Sequence, residues 1–149
     1  MNLSKRLVKS PKIYWRDAGL LHALLGIQSL DQLLAQPWAG ASWEGFVIEQ
    51  IHAALSRADL PPQAYFFRTH DQHEVDLVLD FGSRVWAVEV KMTSNPSVDM
   101  LKRLDASADL IKAEHRVLIC RTAQSFTAGN RTICNLRWFL QHALRKLID

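Results

Sequence analysis

Two runs of alternating residues, Glu74 to Phe81 and Arg84 to Met92, are separated only by Gly82-Ser83, and this pair constrains the chain more than any other stretch. A glycine first in a two-residue loop favours a type II′ turn, whose twist suits two antiparallel strands. The loop pairs Phe81 with Arg84, and counting away from it sets Asp76 opposite Glu89 and Glu74 opposite Lys91. Because side chains alternate along a strand, Val75, Leu77, Leu79 and Phe81 are expected on one face and Glu74, Asp76, Val78 and Asp80 on the other. In the partner strand Trp86, Val88, Val90 and Met92 share a face, which leaves Ala87, Glu89 and Lys91 together.

That register puts two carboxylates, Asp76 and Glu89, directly across from one another. Opposed side chains of this kind repel unless one is protonated or a cation lies between them. A hard divalent ion would relieve the repulsion, since Mg²⁺ takes one or two protein carboxylates and completes its shell with water and phosphate oxygens. Lys91 shares the face of Glu89, two residues on, and could orient a water or balance charge on a phosphate. The plainer alternative is a solvated hairpin in which Lys91 neutralises Glu74 and Glu89.

The segment before the hairpin bears on that choice. From Ala41 to Arg57 apolar residues fall at Trp43, Phe46, Val47, Ile48, Ile51, Ala54 and Leu55, one face of a helix that Pro61-Pro62 closes. Glu44 falls within this apolar arc and Glu49 opposite it. An ionised Glu44 on a buried face needs a partner such as a metal, a metal-bound water or Lys91.

The remaining elements follow from punctuation. Lys12 to Arg16 reads as extended, Asp17 as the cap of a helix ending near Gly26, and Ser29 with Gln32 as a capping box for a second short helix that Pro37 ends. A strand is expected over Ala64 to Thr69, a helix through Val98, Leu101, Leu104, Ala108 and Ile111, and a strand over Arg116 to Arg121. Asn135 then caps a closing helix through about Leu147. After the short N-terminal helices the order is αβββαβ and a final helix: an α/β domain with a mixed sheet flanked by helices.

At 149 residues with 48% apolar content the chain suits one hydrophobic core. Eighteen basic residues against fifteen acidic give +3, with Lys5, Arg6, Lys9, Lys12 and Arg16 at one end and Arg145 and Lys146 at the other. This permits a nucleic-acid partner without requiring one. Cys120 and Cys134 form no CxxC, so neither a zinc site nor a disulfide framework is suggested and a reducing cytoplasm fits. No apolar run reaches the length of a membrane span.

Glu44 on a helix, Asp76 on a hairpin followed by Glu89-Val90-Lys91, and the α then β continuation together resemble the PD-(D/E)XK nuclease superfamily, with Val75 where the motif's proline would stand. A second resemblance spans six blocks in order: residues 9–14, 17–21, 40–51, 65–68, 74–77 and 88–91. These are similar to DUF4143, a domain found C-terminal to the ATPase module of many prokaryotic AAA+-type proteins. The resemblances imply a restriction-endonuclease-like fold over residues 40–149, preceded by an arm and short helices over 1–39 that join it to an ATPase. They imply Glu44, Asp76, Glu89 and Lys91 as catalytic residues, the three acids holding Mg²⁺ or Mn²⁺, and an AAA+ ATPase module as partner. An ATP site is not expected in this chain, because Phe46 and Val47 follow Gly40 and Gly45 where a phosphate loop needs Lys and Ser or Thr.

The expected function is therefore a divalent-metal-dependent nuclease, or alternatively a non-catalytic nucleic-acid or protein recognition module of the ATPase. His70 and His73 read as loop residues rather than a metal pair, and His22, His52, His115 and His142 lack obvious partners. Trp43, Trp86, Trp138 and Cys120 read as core. Lys102 and Arg103, on the helix after Lys91, are candidates for phosphate contacts.

Overall fold

The computed structural model describes residues 12–144. The basic residues Lys5, Arg6, Lys9, Arg145 and Lys146, and the end of the closing helix at Leu147, lie outside the described residues. Three helices come first: α1 (Ala18–Leu24), α2 (Leu30–Leu34) and α3 (Ala39–Leu55). The first two start as their caps require, with the Asp17 carboxylate accepting from the Leu20 N–H and the Ser29 hydroxyl from the Gln32 N–H. Gln32 reaches back with its side-chain oxygen to the Gln28 N–H, one residue before the cap.

Six strands then form one mixed sheet. They are β1 (Gln63–Arg68), β2 (Glu74–Asp80), β3 (Val85–Val90), β4 (His115–Ile119), β5 (Phe126–Ala128) and β6 (Arg131–Cys134), in the spatial order β1-β2-β3-β4-β6-β5. β3 and β4 run parallel, joined by α4 (Val98–Leu110), as do β4 and β6; the other pairs are antiparallel. The β5–β6 hairpin is absent from the sequence expectation. Its two-residue loop, Gly129-Asn130, carries a positive φ of 58° at Gly129, which glycine tolerates. A short α5 (Leu136–Trp138), capped by the Asn135 side chain as expected, runs into a π-helical turn at Phe139–Ala143 rather than a regular α-helix.

Two cores sandwich the sheet. On one side α3 contributes Val47, Ile48, Ile51 and Leu55 against Leu77, Leu79, Val88, Val90, Val117 and Ile119. On the other α4 contributes Leu104 and Ala108 against Val75, Val78, Ala87 and Leu118. Phe46 departs from expectation: it is 39% exposed, because the buried stripe of α3 passes through Val47, Ile48, Ile51 and Leu55 and leaves Phe46 at its margin. Asp105 ties α4 to the sheet through ion pairs with Arg116 and Arg131.

The β2–β3 register is the expected one near the turn, where Leu77–Val88, Val78–Ala87, Leu79–Trp86 and Asp80–Val85 pair and Gly82 takes a φ of 81°. It does not continue to the far end. Against β1, Tyr65 pairs with Val78 but Phe67 with Val75, so β2 holds one extra residue there, a β-bulge around Asp76 and Leu77. The bulge reverses the alternation, and Val75 packs in the α4-side core with Val78 instead of sharing a face with Leu77 and Leu79. The ladder between β2 and β3 ends at Leu77–Val88, so neither the pairing of Asp76 with Glu89 nor that of Glu74 with Lys91 forms.

Candidate functional site

Beyond Leu77 and Val88 strands β2 and β3 part, and the functional candidates gather in the opening. If the ladder continued, the Val90 N–H would meet a backbone carbonyl of β2. Instead it donates to Asp76 Oδ2 at 2.9 Å. The bulge thus turns a carboxylate into the hydrogen-bond partner of a buried strand, which explains why Asp76 is only 3% exposed.

Glu44 arrives from α3. It lies one turn before Ile48 and two before Ile51, in line with the buried stripe, and points toward Asp76 as its helical phase predicts, while Glu49 turns away to face Arg16 at 3.7 Å. Glu89 and Lys91 come from the end of β3 and just beyond it. Lys91 Nζ stands 2.5 Å from Glu89 Oε1 and 3.7 Å from Asp76 Oδ2, so the ammonium joins the two carboxylates that the hairpin brings together. The other oxygen of Glu89, Oε2, is buried and has no hydrogen-bond partner among the described residues.

A second cation, Lys12, completes the cluster. Its Nζ lies 2.5 Å from Glu44, 2.9 Å from Glu74 and 3.1 Å from Asp76, with the rings of Phe66 and Tyr14 at 4.9 and 5.6 Å. Tyr14 donates its hydroxyl to Glu44 at 2.5 Å. Sequence reasoning grouped Lys12 with the basic residues of the chain end and missed this role.

The cavity next to these residues measures about 650 Å³ and runs between the opened strands, the turn Asp71–Glu74 and the first turns of α4. Lys102 and Arg103, the candidate phosphate contacts, line it and are exposed, and His73 lies on its wall. His70 lies outside it. Three histidines expected to lack partners have them: His22 hydrogen-bonds Ser42, His115 packs at a tilt against Trp86 and His142 stacks on Trp138.

Burial dominates the electrostatics. It pushes the Glu89 carboxyl up to about 7, with the Asp76 charge adding to the rise and Lys91 opposing it. Glu44 is raised for the same two reasons, burial and Asp76, against Lys12 and Tyr14. For Lys12 burial acts in the opposite direction but is outweighed by Glu44, Asp76 and Glu74, so its ammonium is held above the ordinary range. Lys91 is likewise raised by Glu89 and Asp76 against burial. Among the described residues no group of three or more His, Cys, Asp or Glu side chains is arranged to hold a metal ion, and the four carboxylates of the cluster pair with two lysines. Nor, among the described residues, is any helix long and apolar enough to cross a membrane.

Comparison with known proteins gives one family. Residues 39–139 match the family described as "Domain of unknown function (DUF4143)". Over 102 residues the chain is 46% identical to "Uncharacterized protein Rv2008c" of Mycobacterium tuberculosis and equally to "Uncharacterized protein Mb2031c" of Mycobacterium bovis. Each alignment covers 68% of this chain and 22% of the relative, so the matched part spans about a fifth of those proteins. No solved structure matches the chain.

Proposed function

This chain belongs to the DUF4143 family, and we propose that its acidic cavity is a divalent-metal-dependent phosphodiesterase site that acts on nucleic acid. The observation that carries this reading is the parting of β2 and β3 after Leu77–Val88, which brings Asp76, Glu89, Lys91 and Glu44 from three elements to one wall of a cavity lined by Lys102 and Arg103. Carboxylates gathered beside basic residues suit a phosphate-bearing substrate, the anion lying against the cations while the acids face a metal.

The residue types suit Mg²⁺ or Mn²⁺, while among the described residues their arrangement around Lys12 and Lys91 is not that of a formed metal site. Glu89 Oε2 is a buried acceptor without a partner, and Asp76 and Glu44 offer hard oxygens that already converge on one cation. Asp76, Glu89 and Glu44 would hold the ion, which when bound supplies Lewis acidity toward a phosphate oxygen and a more acidic water. Lys91, paired with Glu89, orients the attacking water and balances charge on the scissile phosphate. Lys102 and Arg103 hold the flanking backbone by contacts that carry no sequence information.

A second reading has its own support. Lys12 lies among Glu44, Glu74 and Asp76, where a catalytic cation would be expected, and this favours a non-catalytic recognition module that keeps the acids as architecture. On either reading the family resemblance makes an AAA+-type ATPase module the proposed partner in the longer protein. The two free, buried thiols of Cys120 and Cys134 accord with a reducing cytoplasm. Incubating the purified chain with single-stranded, duplex and branched DNA, with and without Mn²⁺, separates the readings. The nuclease reading expects Mn²⁺-dependent cleavage that Asp76→Ala abolishes; intact DNA in every lane, with binding retained, supports the recognition module.

A further inference from the structure

Lys12 reaches the cluster from outside the sheet and from outside α3. It comes from the segment before α1, which lies against the start of α3, and three features hold it there. Its Nζ touches oxygens of Glu44, Glu74 and Asp76 within 3.1 Å, which is an all-carboxylate shell. Phe66, across from the β2 bulge, and Tyr14 put aromatic rings against the same ammonium. Tyr14 in turn packs against Gly45, where an added Cβ would come within 3.2 Å of the ring, and anchors its hydroxyl on Glu44. The segment is therefore shaped to the site: a small residue of α3 makes room for it, and a shared carboxylate binds both its lysine and its tyrosine.

We propose that Lys12 is a tethered cation occupying the divalent-ion position of the acidic cluster, so that metal binding and docking of the residue 12–16 segment compete. The proposal rests on the reading of the cavity as a metal site and adds a regulator to it. A divalent ion on the same Glu44 and Asp76 oxygens that Lys12 holds would meet the ammonium at close range, and the like charges would repel. A tethered competitor also acts at an effective concentration of about millimolar or above, comparable to or higher than that of free divalent ions. Metal binding then requires the ammonium to leave, and anything that pulls the segment away, such as a neighbouring domain on its N-terminal side, raises the affinity for metal. The apparent affinity is the intrinsic affinity scaled by the fraction of molecules whose segment is undocked.

Two measurements on the purified chain test this without relying on catalysis. Titration calorimetry with Mn²⁺ compares the parent with Lys12→Met. The proposal expects the variant to bind at least about tenfold more tightly, since it lacks the tethered competitor. Should Lys12→Met not fold, trypsin acting on the parent supplies the second readout. Arg57, exposed just past α3 and outside the segment, serves as an internal reference, whereas the Lys12 side chain is 26% exposed. Saturating Mn²⁺ should raise the initial rate of cleavage after Lys12 severalfold relative to cleavage after Arg57. If the parent binds Mn²⁺ but Lys12→Met binds no more tightly, or the cleavage ratio stays fixed at saturation, the competition is overturned while the metal site stands. If neither parent nor variant binds Mn²⁺, both the metal site and the competition are overturned.

Discussion

The two ends of the β2–β3 pair use the same strands to opposite purposes. Near the turn, Leu77 to Asp80 face Val85 to Val88 in an unbroken ladder, with Leu79 and Val88 buried completely. At the other end the ladder stops, a bulge adds a residue, and a carboxylate replaces a backbone carbonyl as the acceptor for Val90. The first end stabilises the fold through apolar burial. The second collects Glu44, Glu74, Asp76 and Glu89 against two lysines, an arrangement whose desolvation is offset only by close pairing. A strand pair can afford such an end because its other end is well packed.

The contrast can be broken most severely at the packed end. Leu79→Ala removes a side chain with 0% exposure between α3 and the sheet and should cost about 2–5 kcal/mol in chemical denaturation. A loss below 1 kcal/mol would mean that this end is not the stabilising one. At the charged end, Asp76→Ala leaves the Val90 N–H without its acceptor and should cost about 1–3 kcal/mol, with faster hydrogen exchange at that amide. Unchanged exchange at Val90 would show that the carboxylate does not close the ladder.

A pH series sharpens the comparison further. Burial, then Asp76, lifts the Glu89 pKa to about 7, above its value in an unfolded chain, so the folded state binds the proton more strongly. The stabilisation this provides is complete below the unfolded pKa and is lost as pH rises through about 7. Glu44 is shifted in the same direction and adds to the trend. Glu89→Gln should flatten the fall in melting temperature between pH 5 and pH 8 and be the more stable protein at the upper end. A parallel fall in parent and variant would deny Glu89 this role. The smallest effect belongs to the turn: Gly82→Ala at a φ of 81° should cost about 1 kcal/mol, with no change in Mn²⁺ response, because the turn lies at the far end of the strands.

The same division governs what the sequence discloses. The turn, the near register, the caps of α1, α2 and α5 and the inward phase of Glu44 follow from local rules: glycine first in a short loop, polar caps, and the 3.6-residue period. The bulge does not, because it arises where β1 and β2 must fit together, and a strand read alone keeps strict alternation. The pairing of Asp76 with Glu89 counted from the turn is lost with the ladder, and the two carboxylates meet instead through Lys91, 3.7 Å from one and 2.5 Å from the other. β5 was illegible because its three residues are all exposed and carry no apolar pattern. Lys12 was illegible for another reason: its partners lie 32 to 64 residues away in sequence, and nothing local marks a lysine as destined for a carboxylate shell.

The central claim, that the opened end of β2–β3 is a divalent-metal site, is tested most directly by melting curves of the parent and Asp76→Asn with and without millimolar Mn²⁺. An ion that binds only the folded chain, at about a hundred times its dissociation constant, stabilises by about 2.7 kcal/mol, which moves a domain of this size by several degrees. The account predicts that rise in the parent and its loss in Asp76→Asn. A parent whose melting temperature ignores Mn²⁺, or an Asp76→Asn variant that responds as the parent does, would contradict it.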